Sequence, residues 1–176
     1  MRIFVVNLFL LYAYSLACYA KSTKLHQEKS VVPDVYLNVI NQSDSMTFIL
    51  IDPWSESLED WMDGYGEVLD SRSCSNMGLK SDCYNVFSNP VAFELHDVVK
   101  NCTFMPDVAI VFHAKKECLI VAYSFYCDIC RFAKNDKYVD FDGDLVRSKF
   151  LDLVLKIYPK DRYMRYLFKK SKSEFK

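Results

Sequence analysis

The chain has 176 residues, with 22 Lys and Arg against 23 Asp and Glu, and this near-neutral balance argues against a protein that binds nucleic acid through overall charge. Gly and Pro are few (4 and 5) while Tyr and Phe are many (12 and 13), which argues against a loop-dominated miniature domain held only by disulfides. We therefore expect one domain of regular elements packed around aromatic side chains.

Residues 1–20 have the organisation of a secretory signal peptide. Arg2 gives a positive start, an apolar run extends from Ile3 to Leu16, and small residues up to Ala20 allow cleavage there. The run is shorter than the ~20 apolar residues of a membrane-spanning helix, so we predict an extracellular protein that does not span a membrane. Residues 21–33 are polar and aperiodic, which predicts a flexible N-terminal arm.

Removal of residues 1–20 leaves an even number of cysteines, six of the seven in the chain. Because secretory compartments oxidise thiols, we predict three disulfides and no free thiol, with the pairing left open. Cleavage after Ala17 would instead leave Cys18 as an odd seventh cysteine or as the first residue of a lipoprotein. The predicted disulfide cysteines are Cys74, Cys83, Cys102, Cys118, Cys127 and Cys130.

Two short strands are predicted at the start of a globular domain that we bound at 34–159. Val35–Ile40 alternates in part between apolar and polar residues, and Met46–Asp52 is an apolar run closed by a proline. The polar residues between them predict a turn, in which Asn41 begins an Asn-Gln-Ser sequon. We expect Asn41 to be exposed and N-glycosylated.

An amphipathic helix is predicted next. Apolar residues from Leu58 to Leu69 recur at spacings of three and four, with acidic side chains opposite them and Ser55 placed as a cap. Residues 71–88 are rich in Ser, Asn and Gly, and we interpret them as a loop closed through Cys74 and Cys83.

A second helix is predicted over 91–99. Asn89 and Pro90 suit its cap and first turn, and an apolar stripe follows them. Near its end, Asn101 begins a second sequon, Asn-Cys-Thr. Asn101 is the weaker glycosylation candidate because the adjacent Cys102 is a predicted disulfide cysteine.

The strongest strand signals lie in the segment 107–126. Asp107–Phe112 and Cys118–Tyr126 are apolar runs separated by five mostly charged residues, which predicts an antiparallel hairpin. Pro106, this hairpin and the helix after it look similar to the C-terminal half of a thioredoxin fold. The resemblance would put Pro106 at a cis-proline position and implies a degenerate fold, because Pro53–Glu56, at the place of the redox motif, holds no cysteine.

Cys127 and Cys130 form a CxxC motif directly after the second of these runs. Such a motif at a helix start exposes a reactive thiol, so the alternative function is a secretory-pathway thiol–disulfide oxidoreductase with these two residues as catalytic cysteines. A zinc site would need two more ligands, of which Cys118 and His113 are the nearest in sequence. We favour structural disulfides and expect neither a metal nor a cofactor.

The C-terminal part predicts two further helices. An apolar stripe from Val146 to Ile157 ends before Pro159, which stops the helix. Residues 160–176 form a basic amphipathic tail, in contrast to the acidic segment 52–70. We interpret both segments as solvated helix faces; the alternative is that the basic tail contacts an anionic surface such as a lipid head group or a sulfated glycan.

These patterns together predict a single α+β domain with a small, mostly antiparallel sheet and three to four helices. The predicted function is binding: a secreted, disulfide-bonded and N-glycosylated ligand, effector or recognition module without catalytic residues. Its partner would be another protein or a receptor, which the sequence does not identify.

Overall fold

An antiparallel sheet of six strands is the framework of the part of the chain that the structure describes. The computed structural model describes residues 30–54, 60–61, 64–93, 100, 102–115 and 117–174. The helices in these ranges are α1 (Asp34–Gln42), α2 (Met77–Phe87), α3 (Arg147–Ile157) and α4 (Arg162–Glu174). The strands are β1 (Ser45–Asp52), β2 (Asp60–Trp61), β3 (Gly64–Tyr65), β4 (Glu67–Cys74), β5 (Val108–Ala114), β6 (Glu117–Ser124), β7 (Ile129–Lys134) and β8 (Lys137–Asp142).

The strand order in the sheet is β4-β1-β5-β6-β7-β8, and every neighbouring pair is antiparallel. Strands β5 to β8 follow one another as a meander. Asn135 and Asp136 form the two-residue turn between β7 and β8 and have φ angles of 50° and 58°. These angles suit the turn type whose twist matches the flanking strands. Strands β2 and β3 pair separately as a short ladder.

The helices cover one face of the sheet. Alternation along β1 turns Met46, Phe48 and Leu50 toward them, into a core that includes residues of all four helices. Phe87 of α2 lies at the centre, with its ring centroid 5.5 Å from that of Phe132 in β7. Burial of each such aromatic side chain contributes about 1.5–3 kcal/mol, so this aromatic layer contributes strongly to stability.

The opposite face of the sheet carries fewer apolar residues. Its buried cluster consists of Ile49, Ile51, Phe104, Ala109 and Ala122. The period-two alternation of strands turns Thr47 of β1, His113 of β5 and Cys118 of β6 to the same face. Polar and reactive side chains of three neighbouring strands are thereby placed side by side.

The segment predicted as the first strand, Val35–Ile40, lies within helix α1, so that prediction is wrong. Tyr36, Leu37 and Ile40 are buried, and spacings of one, three and four are helical. The carbonyl of Pro33 accepts the Tyr36 amide at 3.0 Å and closes the first turn. The partial alternation of the segment reflects a helix with one buried side.

The helix predicted over 58–69 is also wrong where the structure describes it. Residues 60–61 and 64–65 are strands, and β4 begins at Glu67; residues 55–59 and 62–63 lie outside the described ranges. Val68 and Leu69, which contributed to the apolar stripe, are 38% and 62% exposed on β4 at the edge of the sheet. Hydrogen bonding to β1 decides the structure of this segment, and no local pattern reports it.

The segment 71–88 forms the end of β4 and helix α2 rather than a loop. The Asn76 side chain caps α2 by accepting the amides of Gly78 and Leu79. Leu79, Cys83 and Phe87 are buried at a spacing of four. One of the Asn residues that predicted a loop, Asn76, is therefore the cap of a helix. The helix predicted over 91–99 falls mostly on residues outside the described ranges.

The hairpin predicted over 107–126 is confirmed, with a tighter turn. Strands β5 and β6 continue to Ala114 and Glu117, so two residues separate them instead of five. The thioredoxin-like arrangement is not found: the Met105–Pro106 bond is trans, and the strands beside the hairpin, β1 and β7, run antiparallel to it. Such a sheet differs from the mixed sheet of a thioredoxin fold. The stripe from Val146 to Ile157 forms α3 as predicted.

Replacement of Gly143 by alanine should destabilise the fold by about 1–3 kcal/mol, because an added methyl overpacks a filled site. A Cβ at Gly143 would lie 2.7 Å from Cε2 and 2.9 Å from the hydroxyl of Tyr123. Urea unfolding followed by circular dichroism measures the loss. Gly78→Ala is the matched control, because Gly78 is exposed in the first turn of α2, where an added Cβ would meet the end of the Asn76 side chain at 3.2 Å and alanine favours a helix. Equal stability of the two variants would contradict the prediction.

Candidate functional site

The two cysteines of the CxxC motif do not face each other. Cys127 lies in the turn between β6 and β7 and is bonded to Cys102, with a Cα–Cα distance of 6.0 Å. Cys130 is the second residue of β7, and its side chain is fully buried in the core between the sheet and the helices. Burial raises the pKa of the Cys130 thiol well above its usual value. A redox motif needs an exposed, readily ionised thiol, so this geometry argues against dithiol chemistry at Cys127 and Cys130.

A buried polar network holds the turn that contains Cys127. The guanidinium of Arg147 in α3 donates to the carbonyl of Phe125 at 3.0 Å and to the carboxylate of Asp128. The hydroxyl of Tyr123 lies 3.0 Å from the same carboxylate and donates to the Gly143 carbonyl at 2.8 Å. Burial raises the pKa of Asp128, and the Arg147 charge opposes that rise. The network is structural, since it ties α3 to the β6–β7 turn.

Asp107, just before β5, links this region to α4. Its buried carboxylate accepts the Phe125 amide at 2.6 Å and the Tyr163 hydroxyl at 3.0 Å. Burial raises the pKa of Asp107 to about 6, against the lowering effect of these hydrogen bonds and of Arg147. The contact with Tyr163 fixes the first turn of α4 against the sheet.

Of the six cysteines that the structure describes, four are free where three disulfides were predicted: Cys74, Cys83, Cys118 and Cys130. Cys118 and Cys130 cannot pair, because they point to opposite faces of the sheet. Cys130 lies opposite Tyr123, which is about 17 Å along β6 from Cys118 at 3.4 Å per residue. Burial raises the pKa of the Cys83 thiol to about 12. Among the four, Cys118 has an exposed side chain.

Cys118 lies beside an imidazole on the open face of the sheet. Its Sγ is 3.7 Å from Nδ1 of His113, directly across the β5–β6 pair. Nε2 of His113 is 2.9 Å from Oγ1 of Thr47, which is 3.3 Å from Oγ of Ser73. Four neighbouring strands thus contribute one side chain each to a continuous row of thiol, imidazole and two hydroxyls.

Sequence reasoning missed this row because it placed His113 in a five-residue loop. A two-residue turn between β5 and β6 makes positions 113 and 118 a cross-strand pair. The signal that could have found the pair is the spacing of five between a His and a Cys that flank a tight turn. Thr47 and Ser73 join through long-range strand pairing, which local patterns do not report.

A cavity of about 380 Å³ opens next to Cys118. Its walls come from β6, β7, the β7–β8 turn and the start of β8. The lining includes Cys118, Ile120, Ala133, Lys134, Lys137 and Tyr138. Lys134 is paired with Glu117 at 2.9 Å, while Lys137 is exposed. A volume of this size lies at the lower end of the range of small-ligand sites.

The outward side of α4 is cationic. Arg162, Arg165, Tyr166 and Lys169 are exposed there, and we refer to them as the α4 basic face. Opposite them, Met164 and Leu167 belong to the core, which confirms the predicted amphipathic helix. The three cations of the face make no ion pair with any residue that the structure describes.

The acidic residue nearest in sequence to this face has a structural role. The Asp161 carboxylate accepts the Met164 amide at 2.8 Å and caps α4, and its negative charge is favoured at a helix N-terminus. The Lys172 ammonium lies 4.1 Å from the centroid of the Phe168 ring, to the side of the basic face. The α4 basic face is therefore positive along its length.

Of the two sequons, the structure describes Asn41. It is exposed in the last turn of α1, rather than in a turn between two strands, and its carbonyl accepts the Lys80 ammonium at 3.1 Å. Asn101 lies outside the described ranges. Glycosylation at either residue stays a prediction.

Comparison with known proteins gives no functional assignment: no family model, no curated protein and no solved structure matches the chain. Across the described ranges, no three His, Cys, Asp or Glu side chains are grouped as metal ligands. No helix in those ranges is long and apolar enough to cross a membrane. The features of the described ranges that bear on function are the α4 basic face and the Cys118 row.

Proposed function

We propose that the protein is a secreted binding module that holds a sulfated glycan against the α4 basic face. The observation that carries this proposal is the row of exposed, unpaired cations formed by Arg162, Arg165 and Lys169. Arg162 and Lys169 are about 10 Å apart along the helix axis at 1.5 Å per residue. A linear polyanion can contact all three charges at once.

Guanidinium groups suit this ligand class because their planar donors bind oxyanions in pairs. Tyr166, 61% exposed, adds a flat surface with a hydroxyl between the cations. Clustered unpaired charge also raises the rate of encounter with an anion, since the potential extends over roughly 8 Å at physiological salt.

A lipid surface is the less favoured anionic partner. Peripheral helices bind membranes by inserting an apolar side between the head groups. Met164 and Leu167, which form the apolar side of α4, are buried in the core and are not available for insertion. The basic face itself offers charge and one tyrosine, which suits a hydrophilic polyanion.

Secretion is supported by the signal-like residues 1–20 and by the Cys102–Cys127 disulfide, which is typical of oxidising compartments. The exposed Asn41 sequon agrees with passage through a compartment that glycosylates proteins. The oxidoreductase alternative is weakened by the geometry of the CxxC motif, because Cys127 is bonded elsewhere and Cys130 is buried.

Reversal of two charges on the α4 basic face tests the proposal. The variant Arg165→Glu, Lys169→Glu should elute from a heparin column at lower NaCl than the wild type, with an affinity loss of about 1–2 kcal/mol, roughly ten-fold. The matched control is Lys137→Glu, Lys149→Glu, which changes net charge equally at two exposed lysines on other elements, β8 and α3. The control should elute close to the wild type.

Three outcomes would overturn the proposal. The first is an equal shift of both variants, which would mean that overall charge decides retention. The second is a wild type that does not bind heparin at physiological salt. The third is binding to phosphatidylserine vesicles without binding to heparin, which would identify a membrane as the partner. Circular dichroism of each variant shows whether its fold is intact.

A further inference from the structure

We propose that Cys118 is a nucleophilic thiol that exchanges with a peptide-sized disulfide, such as oxidised glutathione, and becomes a mixed disulfide with the cavity holding the added group. The inference is independent of the glycan proposal, because Cys118 lies on the open face of the sheet and α4 packs on the other.

The imidazole of His113 is placed to accept the Cys118 proton. Nδ1 lies 3.7 Å from Sγ, a hydrogen-bonding distance for sulfur. Thr47 Oγ1 lies 2.9 Å from Nε2, and in the tautomer that carries its proton on Nε2 the imidazole donates to Thr47, which in turn donates to Ser73. This arrangement leaves Nδ1 as the acceptor that faces the thiol. A cysteine with an adjacent, oriented imidazole is the general form of an activated thiol nucleophile.

The exchange step balances without a further reactant. The Cys118 thiol proton passes to Nδ1 of His113, and the thiolate attacks one sulfur of the disulfide R–S–S–R. The S–S bond of the reagent breaks while the bond between Cys118 and one sulfur forms. The leaving RS⁻ takes the proton from the imidazolium and departs as a thiol. The reagent disulfide is the oxidant, and one of its halves is reduced.

The adjacent cavity gives the transferred group a place to lie. Its 380 Å³ suits a short peptide, and Ile120 and Tyr138 offer apolar wall area next to the sulfur. The exposed ammonium of Lys137 is available to a carboxylate of that group. A peptide disulfide carrying carboxylates meets these features better than a purely apolar reagent.

The remaining cysteines lack this combination. Cys83 and Cys130 are buried, and burial raises the pKa of both thiols. Cys102 and Cys127 are bonded to each other. Cys74 is half-buried at the end of β4, and no imidazole contacts it within the described ranges. Cys74 is therefore the matched control for Cys118.

The test exposes the purified full chain to oxidised glutathione and locates the adduct by mass spectrometry of peptides prepared without reductant. We expect the adduct at Cys118, no comparable adduct at Cys74, and the same Cys118 adduct in Cys74→Ser. In His113→Gln the rate at pH 7 should fall about ten-fold or more, because the proton acceptor is lost. The rate of this variant should then rise with pH until it approaches that of the wild type.

Two results would overturn the proposal. One is equal modification of Cys74 and Cys118, which would show that neither the imidazole nor the cavity makes Cys118 more reactive than a half-buried cysteine without them. The other is an unchanged rate and pH profile in His113→Gln, which would leave the imidazole without a role. Circular dichroism accompanies each variant, and a Thr47→Val variant supplies a second test: it keeps both reacting groups and should slow the exchange by misorienting His113.

Discussion

Replacement of Arg147 by methionine is expected to destabilise the protein by about 3–5 kcal/mol, because removal of one partner leaves buried polar groups and charge without compensation. The guanidinium is almost fully buried and serves both the Asp128 carboxylate and the Phe125 carbonyl. Methionine fills similar space but donates no hydrogen bond. Urea unfolding at pH 7.5, followed by circular dichroism, measures the loss.

The penalty in Arg147→Met should shrink as pH falls. The folded-state pKa of Asp107 is already raised to about 6. Between about pH 4 and 6 the folded protein therefore holds a proton on Asp107 that the unfolded chain has released. This group therefore adds stability as pH falls through 6. The Arg147 charge lowers the pKa of Asp107 and Asp128, so both values rise further in Arg147→Met. The variant therefore gains more stability than the wild type as pH falls, and the difference between the two becomes smaller.

The control for Arg147→Met is Lys149→Met, an exposed position on the same helix. Its effect should stay within about 0.5 kcal/mol, as is usual for surface substitutions. A similar loss in both variants, or a loss in Arg147→Met that is the same at pH 5 and pH 7.5, would contradict the role assigned to the buried network.

The parts of the fold that the sequence predicts well are those whose pattern is complete within one segment. The hairpin over 107–126 consists of two apolar runs around a charged turn, and both strands are central in the sheet. Helices α3 and α4 each bury one side against the core, so their apolar stripes have a period of 3.6 residues. In these segments the local pattern and the tertiary packing agree, unlike in the apolar stripe over 58–69, the end of which pairs with β1 as a strand.

The errors come from segments whose structure depends on distant partners. Strand β4 is an edge strand with mostly exposed side chains, so it has no alternation to read, and β1 alone determines that it is extended. In α1 and α2 the apolar stripes are short, and the caps at Pro33 and Asn76 resemble turn residues. The same residue types start helices and form loops, which local composition does not distinguish.

The candidate sites divide in the same way. The α4 basic face follows from the sequence, because Arg162, Arg165 and Lys169 lie on one side of a single helix. The Cys118 row needs the strand register of four separate strands. The pairing of Cys102 with Cys127 likewise depends on where two loops meet. The even count of cysteines led to three predicted disulfides, where the described part of the chain has one.

Removal of the Cys102–Cys127 disulfide is expected to cost about 3–4 kcal/mol, because the bond closes a loop of 25 residues and restricts the unfolded chain. The variant Cys102→Ala, Cys127→Ala should unfold at lower urea with a steeper dependence on denaturant, since its unfolded state is more expanded. Cys118→Ala is the control and should unfold as the wild type does, because Cys118 is exposed and free.

Reductant separates a structural role of this bond from a redox role. It should lower the stability of the wild type to that of the double variant and leave the double variant unchanged. If the Cys102–Cys127 bond is only structural, the double variant should keep its native circular dichroism at low urea and its retention on heparin. The structural assignment would be contradicted if the wild type reduced insulin and the natively folded double variant did not. That result would show a catalytic role for Cys127.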